Sequence, residues 1–205
     1  MTNHKRWLLS ALMFAAATCA LAQNTPTQLH NSQAHSAAVA EAKVNKAQSG
    51  ALLQIVRDAT AQFKDVAEAE KAHYSLIFGC VSGPDAGAMG LHFLNSDLLA
   101  EVNRTGIFDP ARPQIVIYEP QPDGSLRLLG ADYIVFADEW KAAHPDGLPP
   151  QLMGQAFHFF ETPNRFELPA FYTLHVWAWK ENPNGAFVNW HPDVSCQSFV
   201  PSTTP

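Results

Sequence analysis

The chain has 205 residues, of which 47% are hydrophobic, and a formal net charge of −6 at neutral pH. This length suits one domain with a sizeable core. The acidic balance, with no basic cluster, argues against nucleic-acid binding and against docking on anionic lipid. After the first 22 residues no stretch approaches the ~20 apolar residues of a membrane span, so we do not expect an integral membrane protein.

The first 22 residues have the pattern of a secretory signal peptide. Residues 4–6 form a positive region, residues 7–20 are apolar and uncharged, and Ala-Leu-Ala at 20–22 is a small-x-small cleavage site. Cys19 permits a lipoprotein alternative, but Thr18 stands where a smaller residue is usual before a lipidated cysteine. We therefore predict plain cleavage, a mature formal charge of −8 after loss of two basic residues, and export to the periplasm or the medium.

The N-terminal part of the mature chain changes character along its length. Residues 23–48 are rich in Ala, Gln, Asn and Ser, which is typical of a mobile lead before the domain at 49–200. Apolar residues then recur at spacings of four and three, which predicts a helix to about Phe63. Asp65 predicts the N-cap of a second, short helix to about residue 72. The spaced apolar residues are Leu52, Val56, Ala59, Phe63 and Val66.

Strand patterns follow the helices. Asp123-Gly124 supplies the positive-φ position of a tight turn, so the two apolar runs beside it predict a hairpin. Ser96 is a candidate cap for a short helical segment that reaches Arg104. The predicted strands cover 75–79, 89–94, 114–119 and 126–137.

The last third of the chain combines a long loop region with an aromatic strand. Residues 138–169 contain five prolines and predict a lid, a rim or a surface wrap. Residues 172–196 predict a strand, a turn at 182–185 and a second short strand. Side chains alternate across a strand, so Thr173, His175, Trp177 and Trp179 should share one face. Residues 201–205 read as a tail.

Two cysteines remain after cleavage, Cys80 and Cys196. In an oxidising compartment such a pair most often forms a disulfide, which we favour over a reactive thiol site. Helices first and strands afterwards predict an α+β fold: N-terminal helices packed on a mostly antiparallel sheet, in a single domain with one disulfide.

Three motifs together resemble a group of uncharacterised exported bacterial proteins. They are Gly-Ala-Met-Gly-Leu-His-Phe at 87–93, Tyr-Glu-Pro at 118–120 with Asp-Gly-x-Leu-Arg-Leu at 123–128, and Leu-His-Val-Trp-Ala-Trp with Asn-Pro-x-Gly at 174–185. The resemblance covers roughly 58–196 and supports the single-domain interpretation. That group has no established activity, so the resemblance implies no mechanism.

Three histidines, His92, His175 and His191, lie in or beside predicted strands among apolar or aromatic neighbours, and Glu119 ends another predicted strand. Two or three histidines with one carboxylate commonly hold a transition metal ion in exported proteins. We therefore predict a metal ligand set of His92, His175 and Glu119, with His191 as an outer candidate and Zn or Cu as the ion. The alternative is that each histidine is half-buried and simply hydrogen-bonded.

An aromatic small-molecule pocket is a second interpretation of the same strand, because aromatic faces with a polar group line such pockets. Plain core packing of the tryptophans against the helices is its alternative. The residues predicted to line the pocket are His92, Glu119, Tyr133, His175, Trp177 and Trp179.

Catalysis has weaker support in the sequence. No G-x-S-x-G motif and no phosphate-cradling glycine loop is present. Asp132 is unusual because it lies inside an apolar strand, where an acid must face solvent, pair or work in a site. We therefore favour a binding module over a metal-dependent enzyme. A structural or interaction protein that uses residues 138–169 as its contact surface is the remaining alternative.

Overall fold

The computed structural model describes residues 26–201, except for the side chains of 26–33, 35 and 36. The predicted signal peptide therefore lies outside the described residues. The elements are helices α1 to α4, a short 3₁₀ turn at Ala61–Lys64 and eight strands. The helices are α1 Pro26–Thr60, α2 Val66–Lys71, α3 Ser96–Thr105 and α4 Ala137–Ala143; the strands are β1 Tyr74–Gly83, β2 Gly87–Asn95, β3 Ile115–Pro120, β4 Leu126–Phe136, β5 Gln151–Leu152, β6 Gln155–Ala156, β7 His158–Phe160 and β8 Phe171–Val176.

Six strands form one antiparallel sheet in the order β1-β2-β3-β4-β8-β7, and β5 pairs only with β6. Helices α1 and α2 precede all eight strands, and α3 and α4 lie between strands in the sequence. Helices and a mostly antiparallel sheet in one chain confirm the predicted α+β class. The chain divides into two units, Met1–Ala40 and Glu41–Pro205, and the sheet belongs to the second unit. Within residues 26–201 no helix is long and apolar enough to cross a membrane.

The C-terminal half of α1 covers one face of the sheet. Leu52 and Val56 of this helix are fully buried in a cluster with Tyr133, Leu174 and Val176. Because side chains alternate along a strand, the residues between these sheet positions point to the opposite face. That second face carries the candidate site described below.

The helix ends differ in detail from the predictions. The side chain of Asp65 accepts a hydrogen bond from the backbone N–H of Ala67, which confirms it as the cap of α2. Helix α3 is capped by Asn95 and not by Ser96, because the Asn95 carboxamide oxygen accepts from two backbone N–H groups. The backbone of residues 26–48 is helical, where the sequence predicts a mobile lead.

The predicted aromatic hairpin is only half present. Strand β8 ends at Val176, and the second short strand does not form; residues 177–201 are irregular apart from one bridge between Ala88 and His191. Strand β4 pairs along the whole of β8, whereas β7 pairs only with its residues 171–173. The backbone leaves the strand after residue 176, before the turn, so the first arm of the predicted hairpin does not reach the turn. The region 138–169 contains α4 and the short strands β5, β6 and β7, and is thus more ordered than its prolines suggest.

The predicted disulfide is present. Cys80 and Cys196 are joined with their Cα atoms 5.7 Å apart and 116 positions apart in sequence. The bond ties the irregular C-terminal segment to β1. A long closed loop restricts the unfolded chain strongly, so the bond should contribute substantially to stability.

We expect the double variant Cys80→Ser, Cys196→Ser to lose up to about 4–5 kcal/mol of unfolding free energy, the chain-entropy value for a loop of this length. Urea denaturation of oxidised wild type, reduced wild type and the double variant measures this. Reduced wild type should match the variant. Equal midpoints for all three proteins would show that the bond adds no stability.

Candidate metal centre

Two histidines and one aspartate meet on the sheet face opposite α1. His92 comes from β2, Asp132 from β4 and His175 from β8. One ligand atom from each lies within 4.8 Å of the other two. Their exposed fractions are only 6%, 3% and 2%. Among the described residues this is the group of His, Cys, Asp and Glu side chains that could hold a metal ion.

The sheet register brings these residues together. Asp132 and His175 are direct cross-strand partners, and His92 is paired with Ile117 on the intervening strand β3. Three inter-strand steps would separate β2 from β8 by ~14 Å in a flat sheet. The two imidazoles nevertheless approach to 3.3 Å, measured between their Nε2 atoms, so the sheet must curl around this face.

Two glycines permit the close backbone approaches in this curled sheet. A Cβ atom on Gly130 would lie 2.0 Å from the carbonyl oxygen of Val176, and one on Gly90 would lie 2.5 Å from that of Tyr118. Gly90 also has a φ of +93°, which other residues rarely adopt. A side chain at either position would push neighbouring strands apart and disturb the alignment of the site.

The hydrogen bonds around the site leave one ring nitrogen without a partner. His92 Nδ1 lies 3.3 Å from the carbonyl oxygen of Gly90. The Thr173 hydroxyl donates to Asp132 Oδ1. His175 Nδ1 lies 3.7 Å from the same carboxylate oxygen and makes no hydrogen bond within the described residues. A buried polar atom without a partner is costly and indicates a functional constraint or a missing ligand.

Burial controls the protonation of all three groups. It raises the pKa of Asp132 to about 6, against the opposing effects of His92 and of the bonds from Thr173 and the Leu174 backbone. Burial, with repulsion from His175, lowers the pKa of His92 to about 4.

For His175, burial followed by repulsion from His158 lowers the pKa to about 3. The neighbouring Asn189 side chain opposes that shift, although its carboxamide oxygen and His175 Nδ1 do not meet hydrogen-bond geometry. Burial therefore favours the neutral form of both imidazoles and works against the ionised form of the Asp132 carboxyl.

A cavity of about 280 Å³ adjoins the three residues. The polar side chains in its lining are these three and Thr173, and they form one contiguous cluster through the contacts given above. The other twelve lining side chains are apolar, and five of them are phenylalanines: Phe78, Phe136, Phe160, Phe166 and Phe171. The site is thus the polar patch in the wall of an otherwise apolar chamber.

Glu119 and His191, which the sequence predicts as ligands, lie outside this group. The Glu119 carboxylate pairs with Arg127 and Lys180 and accepts from the backbone N–H of Ser195. Both ring nitrogens of His191 are already used: Nε2 lies 3.0 Å from the Glu181 carbonyl oxygen, and Nδ1 accepts from the Asp193 N–H.

The predicted aromatic pocket residues have structural contacts instead. The Tyr133 hydroxyl donates to the Pro110 carbonyl on the α1 side of the sheet. The indole N–H of Trp177 donates to the Val188 carbonyl, and that of Trp179 donates to the Thr60 hydroxyl. None of the three lines the apolar cavity. Trp177 nevertheless lies beside the site, because its ring stacks on that of His175 with the two ring centroids 6.0 Å apart.

Asp132 is the site residue that the predicted ligand set lacks. Its signal in the sequence is an acid in the middle of an apolar strand, and burial on both sides of β4 confirms that environment. The sequence could not choose between Asp132 and Glu119, because the choice depends on which strand lies beside β8.

No protein-family model, no curated protein and no solved structure matches this chain. The resemblance to exported bacterial proteins stays a prediction. Assignment of the site therefore rests on the geometry and charge of its own residues.

Glu119, Arg127 and Lys180 form an ion-pair cluster that is separate from the candidate metal centre, and a substitution of Glu119 tests this cluster. Burial alone would raise its pKa, but the bonds from Arg127, Ser195 and Lys180 outweigh burial and lower it. The ionised carboxylate thus stabilises the folded state above its unfolded pKa, and this contribution is lost as the pH falls through the lower folded value.

We expect Glu119→Gln to lower the unfolding free energy by about 1–3 kcal/mol at pH 7, with a smaller difference at pH 3. Glu101→Gln is the matched control, because Glu101 pairs with Arg112 on the exposed surface, where such pairs contribute little. A pH-independent difference for Glu119→Gln would contradict the ion-pair assignment.

Proposed function

We propose that this protein is exported and binds a divalent transition metal ion, Zn²⁺ in the first place, through His92, Asp132 and His175. The disulfide and the signal-peptide pattern of the sequence support export. The buried His–Asp–His group supports the metal. The observation that carries the proposal is the 3.3 Å separation of the two Nε2 atoms, combined with the surroundings of the two Nδ1 atoms.

The separation suits shared ligation. Zn–N bonds of 2.0–2.1 Å at a tetrahedral angle place two ligand nitrogens ~3.3–3.4 Å apart. The imidazoles are already held at this distance by β2 and β8. An ion could therefore bind with little movement of the strands.

A hydrogen bond between the two imidazoles would have a similar length, but it leaves a conflict. In that arrangement one ring must carry its proton on Nε2, and the Nδ1 of the same ring then presents a lone pair. For His92 that lone pair would face the carbonyl oxygen of Gly90, and for His175 it would face the Asp132 carboxylate. Burial disfavours the doubly protonated ring that would avoid this.

A metal ion removes the conflict. Both rings then carry their protons on Nδ1, and both Nε2 lone pairs are free to bind the ion. The Nδ1 of His92 has the Gly90 carbonyl as its second partner, which is the usual arrangement for a ligating imidazole. The Nδ1 of His175 lies 3.7 Å from Asp132 Oδ1, beyond hydrogen-bond distance, and its proton faces that carboxylate. The cation also compensates the charge of the Asp132 carboxylate.

Metal content is the direct test. Purified wild type, stripped and reloaded with Zn²⁺, should bind one equivalent by isothermal titration and elemental analysis. Loss of a hydrogen-bond partner of a metal ligand weakens metal binding by up to ~100-fold. Loss of a ligand itself should cost more, so we expect more than ~100-fold weaker binding for His92→Ala, His175→Ala and Asp132→Asn. His144→Ala is the matched control, because His144 stacks on Trp140 away from the site.

Two further variants separate this ligand set from the one predicted from sequence. Glu119→Gln and His191→Ala should retain full Zn²⁺ binding. Unchanged binding after loss of His92 or His175, in variants with native circular dichroism, would overturn the proposal. Loss of binding in Glu119→Gln alone would favour the sequence-based ligand set instead.

Metal removal should also change stability, because an ion that binds only the folded state stabilises it by mass action. At a free Zn²⁺ concentration 100 times Kd, we expect an increase of ~2.7 kcal/mol in unfolding free energy. Thermal unfolding with Zn²⁺ and with excess chelator measures the difference. Asp132→Asn should show no such increase, and an equal increase in the variant would indicate binding elsewhere.

A further inference from the structure

We propose that the apolar cavity binds a medium-length monocarboxylate, whose carboxylate occupies an open coordination position of the metal while its chain fills the chamber. This inference rests on the metal site proposed above and names the class of ligand that the site takes. The observations behind it are the volume of the cavity, the composition of its walls and the exposure of Phe78 in its lining. The charge that a bound ion would give the site completes the argument.

The volume limits the size of the ligand. An engineered apolar cavity of about 150 Å³ accepts benzene, so by proportion a cavity of about 280 Å³ accepts a molecule of ~11 non-hydrogen atoms. Octanoate, with about ten, is of this size.

The walls determine the polarity of the ligand. Twelve of the sixteen lining residues are apolar, so most of the bound molecule must be apolar as well. The polar groups are gathered in one cluster, and the ligand therefore needs one polar end. Leu99, Ile115 and Ile134 are among the aliphatic residues that would contact its chain.

The charge of the metal-loaded site determines which polar group the ligand carries at its polar end. A divalent ion with the Asp132 carboxylate and two neutral imidazoles carries one net positive charge. No lysine or arginine lines the cavity, so within the described lining nothing else would compensate that charge. A monoanion makes the buried site neutral, whereas a dianion or a neutral group leaves a net charge in a low-dielectric chamber.

The cavity lining predicts metal dependence. No lysine or arginine lines the cavity, so without the ion the carboxylate end of the ligand would have no cationic partner there. With the ion bound, the same end gains a buried cation beside it.

Residues of both edge strands line the cavity. Ile77 and Phe78 belong to the edge strand β1, and Phe160 belongs to the other edge strand β7. Phe78 is 51% exposed, and its ring centroid lies 5.4 Å from that of Phe166. The lining thus reaches the surface at Phe78, where an apolar chain would enter.

Titration of octanoate and 1-octanol into metal-free and Zn²⁺-loaded protein tests the inference. Octanoate should bind the Zn²⁺ form at least ~30-fold more tightly than the metal-free form, a conservative ratio for placing a buried cation beside the carboxylate. Octanol should bind both forms within a few-fold, since it needs only the apolar chamber.

A substitution in the cavity lining tests ligand binding in the chamber independently of metal binding. Leu168→Trp places a larger side chain in the lining and should abolish octanoate and octanol binding while Zn²⁺ binding persists. Leu148→Trp is the matched control, because Leu148 is 65% exposed and does not line the cavity. This control variant should bind octanoate, octanol and Zn²⁺ as wild type does.

The outcomes distinguish the two proposals. If Zn²⁺ does not bind, the metal centre fails and this inference fails with it, while octanol still shows whether the chamber takes apolar molecules. If Zn²⁺ binds but octanoate binds no more tightly than to the metal-free protein, the inference alone is overturned. The same holds if Leu168→Trp binds octanoate as wild type does.

Discussion

The candidate site depends on an acidic side chain, Asp132, that lies beside two buried imidazoles in an apolar wall. A charge in this position is expensive, and burial of Asp132 raises its pKa although Thr173 and the Leu174 backbone both donate to it. A cation beside Asp132 would offset the cost of ionising this acid, which is the role that the proposal gives to the metal ion. The curl of the sheet, permitted where Gly130 lets β8 approach closely, is what turns three separate strand positions into one site.

Local sequence patterns could predict much of this arrangement. The Asp123-Gly124 hairpin, the cap at Asp65, the Cys80–Cys196 bond and the α+β class all follow from turn chemistry, capping and compartment, and each is confirmed. The placement of His92 and His175 in one ligand set is a prediction from their positions in predicted strands, and the structure brings their Nε2 atoms to 3.3 Å. What no local pattern contains is strand order: β8 joins β4 across the whole of α4 and β5 to β7, and only that pairing puts Asp132 opposite His175.

The difference between Glu119 and Asp132 shows why the predicted carboxylate could not be chosen. Both acids lie in apolar strands next to a tyrosine. A register shift between Ile117 and Tyr118 places Glu119 opposite Arg127, and Lys180 reaches it from the irregular segment after β8. Its charge is thus compensated by two cations. Within the described residues Asp132 has no such lysine or arginine partner. The lack of a cation beside this acid can be seen only once the neighbours of every strand are known.

The metal centre and the chamber depend on each other physically. Structural zinc sites are closed by four protein ligands, whereas sites that act on other molecules keep a position open. Here three side chains face a cavity, so an ion bound to them would be accessible to a molecule in that cavity. The apolar walls exclude competing water and strengthen the attraction between ion and anion. Without the ion, the same walls make an ionised Asp132 more costly. The two proposals thus give each part of the chamber a role: the cation compensates the acid, and the ligand joins an anionic end at the ion to an apolar chain at the walls.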